Sequence, residues 1–268
     1  MKLGYINYLN CFPFYYHLFH VQPLPAIEVV PAYPGELNAM LKSGTLHMSP
    51  ISSAAYAEAQ QDLQLIGQFC LSSIGYVRSV ILVSSKPIEM LGNCVVGLSQ
   101  ASQTSVVLLK IILQKFYGLM PHYKSSDPYP VLHDVDAKLV IGNEAMMHET
   151  EPLPYIYDLG DLWLQKTGYP VVFAVFAVRK DATHHAIDIN AVCASYQLSL
   201  NELAKNPHDV IEKARQRYPN IAYDIAQYYS LLKFEFTDEL KKALLYYYSL
   251  AWELQLLPKV SSLQLYGR

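Results

Sequence analysis

Polar side chains gather at four places where an apolar, strand-like run gives way to a helical pattern. Asn7 and Asn10 follow the first such run. Ser49, Ser52 and Ser53 follow the third. Ser99, Ser102, Gln103, Thr104 and Ser105 open a helix in the middle of the chain, and Asn143 follows a run ending at Ile141. A helix start presents N–H groups with no partner in the helix, at the positive end of its dipole. Hydroxyl and amide side chains add donors. Such places bind carboxylates and phosphates. The same residue types also cap helices with no ligand present. One junction therefore decides nothing, but four on one sheet edge point to a site for a small anion. Aspartate and glutamate are missing from the positions picked out at these junctions, so no protein base is evident there.

Other chemistry leaves no trace. The chain has no G-x-G-x-x-G, no P-loop and no G-x-S-x-G. Its nine histidines show no H-x-x-x-H pair with a supporting carboxylate. Cys11, Cys70, Cys94 and Cys193 are scattered, without C-x-x-C or zinc spacing. No metal and no other cofactor is expected. Arg78 lies in a strand-like run, where it pairs either with a ligand carboxylate or with an acid of the protein. The tyrosines of the tail, Tyr246, Tyr247 and Tyr248 among them, are expected to pack its helices with their phenols at the surface.

The elements that position these residues follow from patterning. Strands are expected at 2–6, 26–30, 46–48, 93–98, 138–141 and 155–158, alternating with helices. A helix opening at Pro34 stops at Ser43 and Gly44. This alternation implies βαβ units and a mostly parallel sheet, hence an α/β fold. Two longer apolar runs, 76–83 and 171–178, bracket the middle of the chain. Read as crossings, they divide it into lobe one, 1–83 and 176–268, and lobe two, 84–175, with a ligand between them. The alternative is one continuous doubly wound domain with a helical tail. After residue 181 the chain reads as wholly helical, with helices near 184–204, 207–217, 221–231 and 237–255.

Composition bounds the partners. The 268 residues are 52% hydrophobic and 16% charged, with a formal net charge of −3. That is a globular composition with no general attraction for nucleic acid or anionic membrane. No apolar stretch approaches the about 20 residues of a membrane span. The opening MKLGYINYLNCFPF is interrupted by Asn7 and Asn10 and lacks a small-residue cleavage site. A cytoplasmic monomer or homodimer acting on a small molecule, with reduced thiols, is the expectation.

The run Gly4-Tyr5-Ile6-Asn7-Tyr8-Leu9-Asn10-Cys11-Phe12-Pro13 resembles the opening of the chorismate dehydratases of the futalosine route to menaquinone. The resemblance continues through Arg78-Ser79-Val80, Ser102-Gln103-Thr104-Ser105-Val106 and Leu139-Val140-Ile141-Gly142. It is strongest at Asp158-Leu159-Gly160, Trp163, Thr167-Gly168, Pro170 and Val172-Phe173-Ala174-Val175. It implies a two-lobed, periplasmic-binding-protein-like type II fold with a ligand cleft between the lobes and C-terminal helices. It also implies catalytic roles for Asn10 and Ser79, and a substrate carboxylate on the helix start at 102–105. Ser52 and Ser53, from the junction after the third strand, and Arg78, Gln103, Asn143, Thr167, Gly168 and Pro170 join Ser102, Thr104 and Ser105 as expected substrate-binding positions. The chain departs from the family at Asn143, where an aspartate is expected, at Gln103, where a basic residue is common, and at Phe176, where tryptophan is common.

The implied substrate suits these residues. Chorismate carries two carboxylates, and dehydration yields 3-[(1-carboxyvinyl)oxy]benzoate. Deprotonation at C3 spreads charge through the diene onto the ring carboxylate. Such a step needs anion-stabilising donors, exclusion of water and a base. With no protein base evident, the enolpyruvyl carboxylate of the substrate itself is the expected acceptor. A solute-binding protein without catalysis, and a sister enzyme acting on a later intermediate, are the competing readings.

Overall fold

The computed structural model describes residues 1–127, 129, 131–147 and 154–267, and in it the strand-forming runs assemble into two sheets. The first begins with a βαβ unit. β1 (Lys2–Ile6) and β2 (Glu28–Ala32) are parallel and joined through α1 (Phe12–His20). α2 (Pro34–Lys42) leads to β3 (Met48–Ser52), which lies parallel to β1. α3 (Ser53–Ala59) then leads to β4 (Leu63–Ser73). The second sheet is built from β5 (Val80–Ser84), β6 (Val95–Ser99), β7 (His122–Ser126), β8 (Ala137–Ile141) and β9 (Tyr155–Asp158), in the order β7-β6-β8-β5-β9. α4 (Gln103–Ile111), prolonged by a π-helical turn (Ile112–Phe116), joins the parallel β6 and β7.

α5 (Leu159–Thr167) brings the chain back to β10 (Val171–Arg179), which inserts antiparallel between β3 and β4. The rest is mostly helical: α6 (Ala186–Lys205), α7 (Pro207–Arg217), α8 (Ile225–Leu231) and α9 (Asp238–Glu253). One short strand, β11 (Leu232–Glu235), interrupts it and pairs with β4 at the sheet edge. The first sheet thus runs β11-β4-β10-β3-β1-β2.

Several expectations shift against this frame. The strand expected at 46–48 starts only at Met48 and runs on through Pro50 to Ser52. The tail is not wholly helical, because Leu232 and Phe234 alternate with Lys233 and Glu235 and complete the edge of the first sheet. The boundaries expected at 83/84 and 175/176 fall inside β5 and β10. Each of those strands is bonded along its length to a single sheet, so the chain changes sheets within connections instead. It leaves the first sheet after Ser73, enters the second at Val80, and returns between Asp158 and Val171.

Aromatic packing joins the tail to the first sheet. Phe14 of α1, Phe69 of β4, Phe176 of β10 and Tyr196 of α6 form one cluster, with the Phe14 and Phe176 rings 4.4 Å apart. Phe176 is therefore a core residue. The tail tyrosines also differ from expectation. Tyr247 and Tyr248 are buried and send their phenols inward, donating to Thr104 O at 3.2 Å and Ser53 O at 2.7 Å. A buried phenol needs an acceptor, and two helix starts beneath α9 provide one each. All four cysteines are free thiols, and three are buried. Among the described residues no helix is long and apolar enough to cross a membrane.

Candidate active site

The carboxyl ends of β1, β3 and β8 and the first turn of α4 converge on a cavity between the two sheets. Its water-accessible volume is about 40 Å³. One wall comes from the first sheet and its turns: Tyr8, Asn10, Pro34, Ser52, Phe173 and Ala174. The other comes from the second sheet: Ser79, Val80, Ser102, Ser105, Ile141 and Gly142. Among the described residues no charged side chain lines it. Polar atoms at the wall are hydroxyls, one amide side chain and backbone.

The two sheets meet closely around this space. At Gly35 a β-carbon would stand 2.8 Å from the Gln100 carbonyl oxygen. At Gly142, with φ +66°, it would stand 2.7 Å from the Tyr8 ring. Beside this contact Leu9 N–H donates to Asn143 Oδ1 at 2.9 Å. These glycines let backbone from one sheet press on the other.

Five of the residues singled out from sequence reach the cavity wall. Asn10 sits in a 3₁₀ turn (Leu9–Cys11), with a buried Oδ1 that makes no hydrogen bond among the described residues. Ser52 precedes α3, yet its side chain makes no cap bond, so its hydroxyl is left for the cavity. Ser79 stands just before β5 and is 2% exposed. Ser102 does cap α4: its Oγ accepts from Ser105 N–H at 3.3 Å and lies 3.1 Å from Ser105 Oγ. Both of those hydroxyls line the cavity as well. At the same helix start, the N–H groups of Gln103 and Thr104 have no partner within α4.

The remaining positions lie elsewhere. The Ser53 hydroxyl donates to Val172 O at 2.7 Å. The Thr104 hydroxyl donates to Phe173 O at 2.8 Å and accepts from Ala54 N–H at 3.1 Å, tying α3, α4 and β10 together behind the wall. Gln103 turns outward to Glu58, at 2.5 Å. Asn143 is engaged with Leu9. Arg78 has φ +66°, its N–H donates to Asp158 Oδ2 at 2.7 Å, and its guanidinium lies 5.7 Å from the centre of the Tyr223 ring. Thr167 and Gly168 terminate α5: the Thr167 hydroxyl donates to Trp163 O at 2.7 Å, and Gly168 takes φ +73°. Pro170 borders a separate groove beside β11.

Two features of the site are absent from the sequence reading. Tyr228 of α8 is buried behind the cavity wall and donates to Ser79 Oγ at 2.8 Å. Nothing in its spacing marked it, because the contact joins residues 149 apart. The junction after β8 also holds a carboxylate after all, next to Asn143. Glu144 is 6% exposed, and its Oε2 makes no hydrogen bond among the described residues. It lines a neighbouring recess with Tyr8, Tyr33 and Arg217, not the cavity itself.

Burial pushes the Glu144 carboxyl above the usual carboxylate range. A carboxyl raised on folding favours its protonated form in the folded state. Its stabilising contribution is complete below the unfolded pKa and is lost as pH rises through the folded value. Glu144→Gln, which stays neutral, is therefore expected to melt above the wild type at pH 7, with the gap closing as pH falls towards 4. Thermal melts of both proteins across that range check this; a gap that widens on acidification would contradict it. Among the described residues no group of three or more His, Cys, Asp or Glu could hold a metal ion.

Comparison with known proteins bears on this geometry. A family model described as menaquinone biosynthesis matches residues 1–253. The chorismate dehydratase of Thermus thermophilus is 33% identical over 196 residues, covering 67% of this chain and 70% of that protein. The 1,4-dihydroxy-6-naphthoate synthase of the same organism is 24% identical over 184 residues, covering 68% of this chain and 66% of that one. Among solved structures, a Candida albicans gene product described as having the generic periplasmic binding protein fold superposes with a TM-score of 0.62. It shares 12% identity and covers 100% of this chain and 98% of its own. The two-sheet α/β architecture is thus that of the periplasmic binding proteins, and the chain belongs to the menaquinone biosynthesis family.

Proposed function

We propose that this protein is a chorismate dehydratase, a hydro-lyase that converts chorismate to 3-[(1-carboxyvinyl)oxy]benzoate and water on the futalosine route. The observation that carries the reading is the cavity between the sheets, walled by neutral donors and, among the described residues, by no charged side chain. Such a wall offers hydrogen bonds to a dianion but no strong base and no paired nucleophile. It suits a substrate that brings its own base. The enolpyruvyl carboxylate takes the C3 proton, charge spreads to the ring carboxylate, and donors at the α4 start hold that carboxylate. Enclosure removes water and strengthens each of these bonds. The two sheets act as lobes, hinged at residues 74–79 and 159–170, that close over the substrate.

The test is direct. Purified protein is incubated with chorismate and the aromatic product is followed by its absorbance. Absence of product sinks the reading. In the active enzyme, Ser105→Ala is expected to raise KM about tenfold, because a hydrogen bond to a charged group contributes about 1.5–3 kcal/mol. Unchanged KM would reduce Ser105 to a capping role. The second reading, 1,4-dihydroxy-6-naphthoate synthesis, rests on the weaker of the two matches. It is favoured only if chorismate is untouched.

A further inference from the structure

We infer that Tyr228 is a positioning residue for Ser79, holding its oxygen from behind so that the serine proton points into the cavity at the hydroxyl leaving C4. This rests on the chorismate dehydratase reading and adds a group outside the cavity wall. Tyr228 is buried and does not line the cavity, yet its hydroxyl lies 2.8 Å from Ser79 Oγ. Asn10 lies beside this phenol. Ser79 and Asn10, from opposite walls, thus both stand next to one phenol.

The direction of the bond follows from the groups. A phenol is a stronger donor than an alkyl hydroxyl and a poorer acceptor. Its proton therefore lies towards Ser79 Oγ. The serine proton must point elsewhere, and the open side of Ser79 is the cavity. Burial also raises the Tyr228 pKa, keeping the phenol protonated throughout the working range. Across the cavity, Asn10 Oδ1 is buried with no partner among the described residues.

Helix α8 is built to hold this position. Asp224 caps it, accepting from Gln227 N–H at 2.7 Å, and Ala222 N–H donates to Met146 O at 3.0 Å just before it. The next tyrosine, Tyr229, donates to Leu9 O at 3.1 Å, beside Asn10. One short helix therefore fixes both Asn10 and Ser79, which come from opposite walls.

In the reaction, the C3–H bond breaks and its electron pair forms the C3–C4 double bond. The C4–O bond breaks with its pair on oxygen. Ser79 donates a hydrogen bond to that oxygen as charge builds. The proton held by the substrate carboxylate then completes the water, and no residue ends in a changed protonation state. A donor aimed at the leaving oxygen acts in the transition state, so its loss appears in kcat.

A double-mutant cycle with chorismate tests the assignment. Y228F is expected to lower kcat about tenfold and to leave KM within about twofold, with a melting temperature that permits assay. Added to S79A, it is expected to cost nothing further, because its effect passes through Ser79. A structural role would instead lower activity equally in both backgrounds. Equal losses there, or a Y228F enzyme as fast as the wild type, overturn the inference while the function stands. A wild type that makes no aromatic product overturns the function, and the inference falls with it.

Discussion

Ser79→Ala and Asn10→Ala are each expected to lower kcat with chorismate about a hundredfold, the usual scale for removing one donor to developing charge in an enclosed site. Both side chains line the cavity, one from each wall, and Ser79 accepts from Tyr228. Neither is basic enough to take the C3 proton at neutral pH. Their loss should therefore remove charge stabilisation and orientation, leaving a slow reaction driven by the substrate carboxylate. Steady-state assays beside melting curves separate this from unfolding. Unchanged kcat in both folded variants would place the chemistry elsewhere. A chorismate analogue without the side-chain carboxylate should bind and fail to react; if it were dehydrated at a near-normal rate, a protein base would have to be present.

Asp158→Ala is expected to destabilise the protein by about 2–4 kcal/mol, with Asp158→Asn losing roughly half as much. The Asp158 carboxylate gathers three backbone N–H groups: Val77 at 3.1 Å, Arg78 at 2.7 Å and Asp161 at 3.0 Å. It thereby caps α5 and clamps the connection that enters the second sheet. Arg78 is held at φ +66°, a region that few side chains other than glycine adopt, so it depends on that clamp. Behind it Gly160 leaves no room for a β-carbon, which would stand 2.3 Å from Gly75 O. Ser79 is the next residue, so the same substitution should also depress kcat. Denaturant midpoints measure the first effect. An alanine variant as stable as the wild type would show the clamp to be redundant.

The sequence made the polar junctions legible because a strand end followed by a helix start is a local pattern. Asn10, Ser52, Ser102 and Ser105 follow from it, whereas only the family resemblance marks Ser79. It could not sort cavity residues from supporting ones. Ser52 and Ser53 are neighbours of one type, yet one faces the cavity and the other bonds Val172 O. That choice depends on where β10 lies, some 120 residues away. Tyr228 was hidden for the same reason. β4 went unmarked because Gln64, Gly67 and Gln68 break its apolar run, although it is the longest strand described. β11 has only four residues, too few for a period to show. Glu144 stands one residue past the junction position at Asn143 and faces a neighbouring recess, which no local pattern signals.

The way β10 enters the first sheet has a consequence for how the chain matures on the ribosome. All strands of the second sheet come from one contiguous stretch, Val80 to Asp158. That unit can form as soon as it leaves the exit tunnel. The first sheet cannot, because β3 and β4, made early, become neighbours of β10 only about a hundred residues later. Until then their inner edges stand unpaired, with the N-terminal βαβ unit complete but the sheet open. The part of the protein synthesised first is therefore the last to finish. Asn10 and Ser79, on opposite walls, come under the hold of Tyr228 and Tyr229 only when α8 has been made.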